Sequence, residues 1–225
     1  MALFRVDPDN PFNGPHQEAN TFEHGASLSR AEAVMIMVHG RGATAKSMFP
    51  LADEFAQPDF HYVAPQAQHH RWYPYSFLKP REKNQPGISS GLQLLHDLLE
   101  DVNQGGISKE KIILLGFSQG ACLATEFTAR HPQKLGGVVA LSGGLIGPTI
   151  NQEHYSGSLD KTPVFIGCSD NDPHVPNERI DETEAVFEQL NADVNKQIYK
   201  DMGHTISKEE IQVIRGMMAN ILYDK

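Results

Sequence analysis

Lys111-Ile112-Ile113-Leu114-Leu115-Gly116-Phe117-Ser118-Gln119-Gly120 is the stretch that decides how this chain folds. Its first half is apolar and β-branched, at strand length. Its second half is Gly-x-Ser-x-Gly. The segment that follows, Ala121 to His131, reads as a helix stopped by Pro132. Strand, then Gly-x-Ser-x-Gly, then helix is the context of a nucleophile elbow. The chain reverses so tightly at such a serine that strand and helix nearly touch, and glycines on either side avoid a collision with neighbouring backbone. Small residues continue at Ala121 and Ala124, which lets the helix sit close to its strand.

Working outward, apolar runs alternate with helical spacing along the chain. Ala33 to Val38 is continuously apolar, as a strand buried on both faces requires. It ends in His39-Gly40-Arg41-Gly42. Met48, Leu51, Ala52 and Phe55 recur at helical spacing, and His61 to Pro65 reads as the next strand. A long loop from Gln66 to Gly87 follows. Ile88, Leu92, Leu95, Leu99 and Val102 mark one face of a helix that ends at Gly105-Gly106. After the elbow come strands at Gly137 to Ser142, Pro163 to Gly167 and Lys196 to Tyr199, with a helix over Glu178 to Leu190 between the last two. Ser207-Lys208-Glu209-Glu210 is a capping-box pattern, and Ile211, Ile214, Met218 and Ile221 give the final helix its apolar stripe. Thr21 to Arg30 is read as an edge strand turning at Gly25. Residues 1–20, rich in Pro, Asn and Asp, are read as an irregular surface arm. The pattern predicts one α/β domain over 1–225, a doubly wound, mainly parallel sheet with helices on both faces.

Bulk properties narrow the function. The chain has 225 residues, 40% of them hydrophobic, enough for a sheet between two helix layers. Its 19 basic and 28 acidic residues give a net charge of −9. No basic run favours a nucleic acid or an anionic membrane. No signal peptide or membrane span is legible. Cys122 and Cys168 are read as reduced, buried thiols, which points to the cytoplasm. His69-His70 fits no metal-ligand spacing, so neither a metal nor an organic cofactor is expected.

In an open parallel sheet the active site lies at the carboxyl ends of the strands. The loops there hold Ser118, then Asp170 and Asp172, then His204. A serine hydroxyl needs an adjacent base, and the base an orienting carboxylate, in the chain order Ser, Asp, His. The residues alone leave Asp170 and Asp172 as alternatives for the acid. An oxyanion needs two N–H donors. Gln119 N–H at the helix start is one, and Arg41 N–H, between glycines after the first core strand, is the other candidate. His39 is read as a packed structural histidine. Trp72, Tyr73, Tyr75 and Phe77, with Leu78 beside them and Arg71 at the rim, are read as a substrate wall, with extra core packing as the alternative.

His39-Gly40-x-Gly42, Gly116-Phe117-Ser118-Gln119-Gly120, Asp172-Pro173-His174-Val175-Pro176 and Met202-Gly203-His204 together resemble the phospholipase/carboxylesterase family of α/β-hydrolases, over residues from about 33 to 222. That family includes acyl-protein thioesterases and bacterial carboxylesterases. The resemblance implies an α/β-hydrolase fold with Ser118 as nucleophile, Asp172 as acid, His204 as base, and Arg41 and Gln119 as oxyanion donors. Thioesterases of the family carry Leu-Gly-Asp after the His-Gly, where this chain has Arg41-Gly42-Ala43. The family's His-Gly before the acid motif is Cys168-Ser169 here. The loop Trp72 to Phe77 is similar to that of bacterial carboxylesterases. The expectation is a serine carboxylesterase acting on short- to medium-chain, small-molecule esters, as a monomer or homodimer. A thioesterase or lysophospholipase with the same triad is the alternative, and a non-catalytic binding protein of the same fold is the reading from another class.

Overall fold

The computed structural model describes residues 14–223. Among them, seven strands form one sheet in the order β1-β3-β2-β4-β5-β6-β7. In chain order the elements are β1 (Thr21–Gly25), β2 (Ala33–Val38), α1 (Phe49–Phe55), β3 (Phe60–Pro65), α2 (Gly87–Gln104), β4 (Ile112–Phe117), α3 (Gln119–Arg130), β5 (Gly137–Leu141), β6 (Pro163–Ser169), α4 (Asn177–Gln189), β7 (Asp193–Tyr199) and α5 (Lys208–Tyr223). β1 runs antiparallel to β3, and every other pairing is parallel. The alternation of strands and helices predicts this doubly wound, mainly parallel sheet, and it is the α/β-hydrolase fold that the resemblance implies. Among the described residues, no helix is long and apolar enough to cross a membrane.

Both faces of the central strands are buried, and the period of two sorts their side chains into two cores. Val34, Ile36, Val38, Ile112, Leu114 and Val138 meet the apolar faces of α2, α3 and α4 on one side. Met35, Met37, Ile113, Leu115, Val139 and Phe165 meet α1 and α5 on the other. The stripe Ile88, Leu92, Leu95, Leu99 and Val102 of α2 is buried as its spacing requires. α3 is buried from Gln119 through Ala129, which its three alanines and Gly120 permit by keeping it narrow. The final helix carries the capping box: Ser207 N–H donates to Glu210 Oε2 at 2.7 Å, and Glu210 N–H to Ser207 Oγ at 3.1 Å.

The ladder levels the carboxyl ends. Val38 pairs with Gly116, Phe117 with Leu141, Leu141 with Gly167, and Ser169 with Tyr199. Loops after β2, β4, β5, β6 and β7 therefore open on one edge. The chain leaves β2 toward β3 on one side and returns to β4 on the other. The crevice at that switch point lies between the β2 loop and the elbow.

Several boundaries differ from expectation. α3 begins at Gln119, directly after Ser118, so Gly120 is helical. β7 starts at Asp193, three residues early. It is a sheet edge with alternating exposure, so Asp193, Val194 and Asn195 lack the apolar run that marks inner strands. Of the irregular arm expected over 1–20, residues 1–13 lie outside the described residues. The remainder, residues 14–20, is irregular and lies at the surface except at His16, which pins it down. His16 is buried; its N–H donates to Ser90 Oγ at 2.8 Å, its Nδ1 accepts Gln68 N–H at 3.2 Å, and its Nε2–H donates to Trp72 O at 2.9 Å.

The elbow's glycines are required by contact. A Cβ on Gly116 would lie 2.3 Å from Gly120 O, and one on Gly120 would lie 2.0 Å from Val38 O. The second clash is with the backbone of β2, which cannot swing aside as a side chain would. Gly120→Ala should cost about 3 kcal/mol of stability, the upper range for forced overpacking. The check is a urea titration in which the midpoint falls at unchanged slope. A loss under about 1 kcal/mol would show that the α3–β2 approach is soft.

Candidate active site

Ser118 sits at φ 55°, ψ −119°, outside the regions a non-glycine residue prefers. The strain is held by bonds on both sides: Ser118 N–H donates to Leu141 O at 2.8 Å, and Ser118 O accepts Cys122 N–H at 3.0 Å. The hydroxyl is thereby turned toward the loop after β7. Ser118 Oγ lies 2.9 Å from His204 Nε2, and His204 Nδ1 lies 2.7 Å from Asp172 Oδ2. The carboxylate only accepts, so Nδ1 carries the proton and Nε2 is left to accept from the serine.

Asp172 is fully buried, and its other oxygen is also engaged. Oδ1 accepts His174 N–H at 2.8 Å and Val175 N–H at 3.2 Å. Pro173 has no N–H, so the turn delivers the next two amides onto the side chain of the residue before it. Asp170 does another job. Its Oδ1 accepts Asp201 N–H at 2.9 Å, tying the β6 loop to the β7 loop. Ser169 Oγ accepts Gly203 N–H at 2.9 Å and so fixes the residue next to His204. The β6 and β7 loops thus hold acid and base in mutual register.

The β2 loop is supported from its neighbours. Gly42 N–H donates to His70 O at 2.7 Å, and His70 Nδ1–H donates to Ala43 O at 3.0 Å. His39 is buried and structural: Ala67 N–H donates to its Nε2 at 3.0 Å, so Nδ1–H donates to Gly40 O at 2.7 Å. Burial lowers its pKa below the usual imidazole value, which favours this neutral form. A Cβ on Gly40 would lie 3.3 Å from Ser118 Cβ, so Gly40 brings the backbone leading to Arg41 against the serine.

The side chains of both predicted oxyanion donors grip the aromatic loop. Arg41 Nη1 and Nη2 donate to Pro74 O at 2.8 Å and Tyr75 O at 2.6 Å. Gln119 Oε1 accepts Trp72 N–H at 2.8 Å, and its Nε2 donates to Tyr73 O at 2.9 Å. A cavity of about 450 Å³ opens between this loop and Ser118. Tyr73, Tyr75 and Phe77 line it, together with Arg41, Gln119 and His204. Trp72 does not, and neither do Arg71 and Leu78. Trp72 is fully buried; its Nε1–H donates to His39 O at 2.8 Å, and its ring lies beside His16 and His39. The sequence groups it with its aromatic neighbours, but an indole with an N–H to satisfy belongs where a carbonyl can take it.

His174, Ser142 and Cys122 also line the cavity and were not singled out as site residues. His174 was legible only as the variable position of the Asp-Pro-x-Val-Pro segment. Ser142 and Cys122 carried no distinguishing signal. Burial pushes the Cys122 thiol up to about 11 and the Cys168 thiol up to about 12, so neither supplies a thiolate near neutral pH. Behind the cavity wall, Glu126 is fully buried and accepts from Ile146 N–H at 2.9 Å and from Arg130. Arg179 Nη1 donates to Leu145 O at 2.7 Å and Gly147 O at 2.9 Å. Gly147 N–H in turn holds Phe77 O at 2.8 Å. A glutamate amid the Ala, Leu and Phe of α3 was the available sign of this buried network.

The family model for Phospholipase/Carboxylesterase matches residues 21–222. The chain belongs to that family. A phospholipase/carboxylesterase from Dyadobacter fermentans DSM 18053 is 39% identical, with 91% of this chain and 97% of that one covered and a TM-score of 0.86. Acyl-protein thioesterase 1 of Kluyveromyces lactis is 32% identical, over 90% of this chain and 98% of its own length. The Bacillus cereus carboxylesterase, at 19% identity and a TM-score of 0.74, shares the fold. This family member is a serine hydrolase acting on carboxylic esters.

Trp72 provides a sharp test of the wall. Trp72→Ala should cost about 3–5 kcal/mol of stability, as emptying a large core site does. Its effect on acyl-chain preference should be smaller than that of Phe77→Ala. Denaturant unfolding and a chain-length series on both variants provide the check. A stable Trp72→Ala protein with an altered chain-length optimum would return Trp72 to the substrate wall.

Proposed function

We propose that the chain is a serine carboxylesterase for short- to medium-chain esters, working through Ser118, His204 and Asp172. One observation carries the reading: the unbroken line Ser118 Oγ, His204 Nε2, His204 Nδ1, Asp172 Oδ2, with links of 2.9 and 2.7 Å, ends at an apolar-lined cavity. His204 takes the Ser118 proton as Oγ bonds to the ester carbon. The carbonyl oxygen becomes an oxyanion between the amides of Arg41 and Gln119, the second at a helix start that favours negative charge. The carbon–oxygen bond to the alcohol breaks as His204 gives that oxygen its proton. Water, deprotonated by His204, then attacks the acyl-enzyme, and Ser118 leaves with the proton back on Oγ. Tyr73, Tyr75 and Phe77 take the apolar part of the substrate.

A wall of aromatic rings braced by Gly147 and Arg179 supports short acyl chains over long ones. Each further methylene could contribute at most about 0.8 kcal/mol while buried, and nothing once the pocket closes. A second reading, thioester hydrolysis by the same residues, is favoured by the likeness to the K. lactis acyl-protein thioesterase. Two unpaired, buried cysteines support a cytoplasmic setting for the enzyme, as monomer or homodimer.

Kinetics with acyl esters of 4-nitrophenol from acetyl to palmitoyl, set beside matching thioesters, separate the readings. The expected kcat/KM rises to butyryl or hexanoyl and then falls. A rate that climbs to palmitoyl, or a thioester strongly preferred at equal length, favours the second reading. Ser118→Ala should abolish turnover and fluorophosphonate labelling together. Labelling that survives would remove the serine from its role.

The two aspartates separate cleanly. Asp172→Asn should lower kcat by about 10⁴, since an amide in that position no longer fixes the imidazole tautomer. Asp170→Asn should cost far less, because its oxygen can still accept Asp201 N–H. Steady-state kcat on one short ester decides. Reversed losses would move the acid to Asp170.

A further inference from the structure

Resting on the esterase reading above, we propose that the preferred substrate carries a negative charge, a carboxylate on its alcohol portion, recognised at the cavity mouth by His174 and Arg41.

The side chains at the cavity that can carry charge near neutral pH are of one sign. Arg41, His174 and His204 line the cavity, and among the described residues no Asp or Glu does. Asp172 stands behind His204 with both oxygens engaged. This is a one-sided arrangement in a chain of net charge −9. Over distances beyond about 10 Å salt screens the overall negative field, whereas groups at the mouth act at contact.

Both candidate groups have capacity to spare. Arg41 is exposed and, among the described residues, has no carboxylate partner. Two of its five N–H donors hold Pro74 O and Tyr75 O, which leaves three on a guanidinium already fixed in place. A planar donor fork held by its own protein pays little entropy to bind a carboxylate. His174 is exposed, and neither of its ring nitrogens is hydrogen-bonded to the described protein. Its backbone is fixed by the bond from its N–H to Asp172 Oδ1 at 2.8 Å.

The position of His174 says which part of the ester bears the charge. Its ring meets that of His204 edge to face, with centroids 4.8 Å apart at 84°. His204 must hand its proton to the departing alcohol oxygen, so the alcohol portion leaves past His204. A carboxylate on that portion arrives beside His174. Water adds to the ester, and the products are an acid and a hydroxy-carboxylate. The anion needs no further reactant.

The test compares 4-acetoxybenzoate with 4-acetoxybenzamide, two esters of matched shape and acyl group that differ in charge. At about 20 mM salt the wild-type kcat/KM ratio, anion over amide, should be about three to ten, falling toward one at about 0.5 M salt, as expected for a contact between exposed charges. The ratio should fall at least about twofold in His174→Gln and in Arg41→Gln, and drop below one in His174→Glu. Reading the ratio within each variant divides out any loss common to both esters. A wild-type ratio of one or less, or a ratio that all three variants leave unchanged, overturns the inference while the amide's hydrolysis upholds the esterase reading. A folded protein that hydrolyses neither ester and resists the fluorophosphonate overturns both.

Discussion

The start of α3 lies so near the backbone of β2 that Gly120 leaves room for nothing larger than hydrogen against Val38 O. Everything at the sheet edge depends on it. The approach lets a helix begin at the residue after Ser118, which directs the helix N-terminus and the Gln119 amide toward the crevice. It also brings the β2 loop against the serine, so close that a Cβ on Gly40 would lie 3.3 Å from Ser118 Cβ. A side chain added at Gly120 would press on Val38 O and His39 O and push the β2 loop, which carries Arg41, away from the elbow.

The same economy extends to the cavity wall. Arg41 and Gln119, the proposed oxyanion donors, hold the aromatic loop with their side chains. Trp72 closes the circuit from beneath, joined to Gln119 by its backbone and to His39 by its indole N–H. The wall and the donor pair therefore share one set of bonds. A substrate pressing on Tyr73 or Tyr75 acts on groups that also place Arg41 and Gln119. Binding energy from the apolar portion can in this way be expressed at the reacting carbon, where small displacements are costly.

Most of the fold was legible because its signals are local. Gly-x-Ser-x-Gly after an apolar run, the α2 stripe and the Ser207–Glu210 box each lie within a few turns of chain. The polar edge strand β7 was half-missed because half of its side chains face water. Ser118, Asp172 and His204 could be named from their order and loop positions, with Asp172 chosen over Asp170 by resemblance. The structure gives these two carboxylates different partners that no spacing could reveal: His204 for one, the Asp201 amide for the other. Trp72 was misplaced for a related reason. Four aromatics in one loop look alike in sequence, and which of them turns inward depends on carbonyls contributed by distant segments. Glu126, Arg179 and His16 belong to the same class, since a buried polar residue is explained only by partners far away in the chain.

Burial of the proposed acid has a consequence for how the charges move. Asp172 accepts three N–H bonds, one from the base and two from its own turn, so its charge is compensated without water. In the proposed mechanism, the cation formed when His204 takes up the serine's proton lies against this prepared anion, and no solvent must reorganise between them. Strain at Ser118 acts in the same direction: the backbone bonds to Leu141 and Cys122 hold the disfavoured conformation that points the Ser118 side chain toward Nε2. The Asp172 turn and the elbow are therefore complementary halves of one preorganised line. Cys168 fits this account. Its thiol, kept neutral by burial, lies 4.0 Å from Asp172 Oδ2 and adds bulk behind the acid without adding charge to it. A second ionisable partner there would compete with His204 for the carboxylate, and the neutral thiol adds only a long S–H contact to Oδ2.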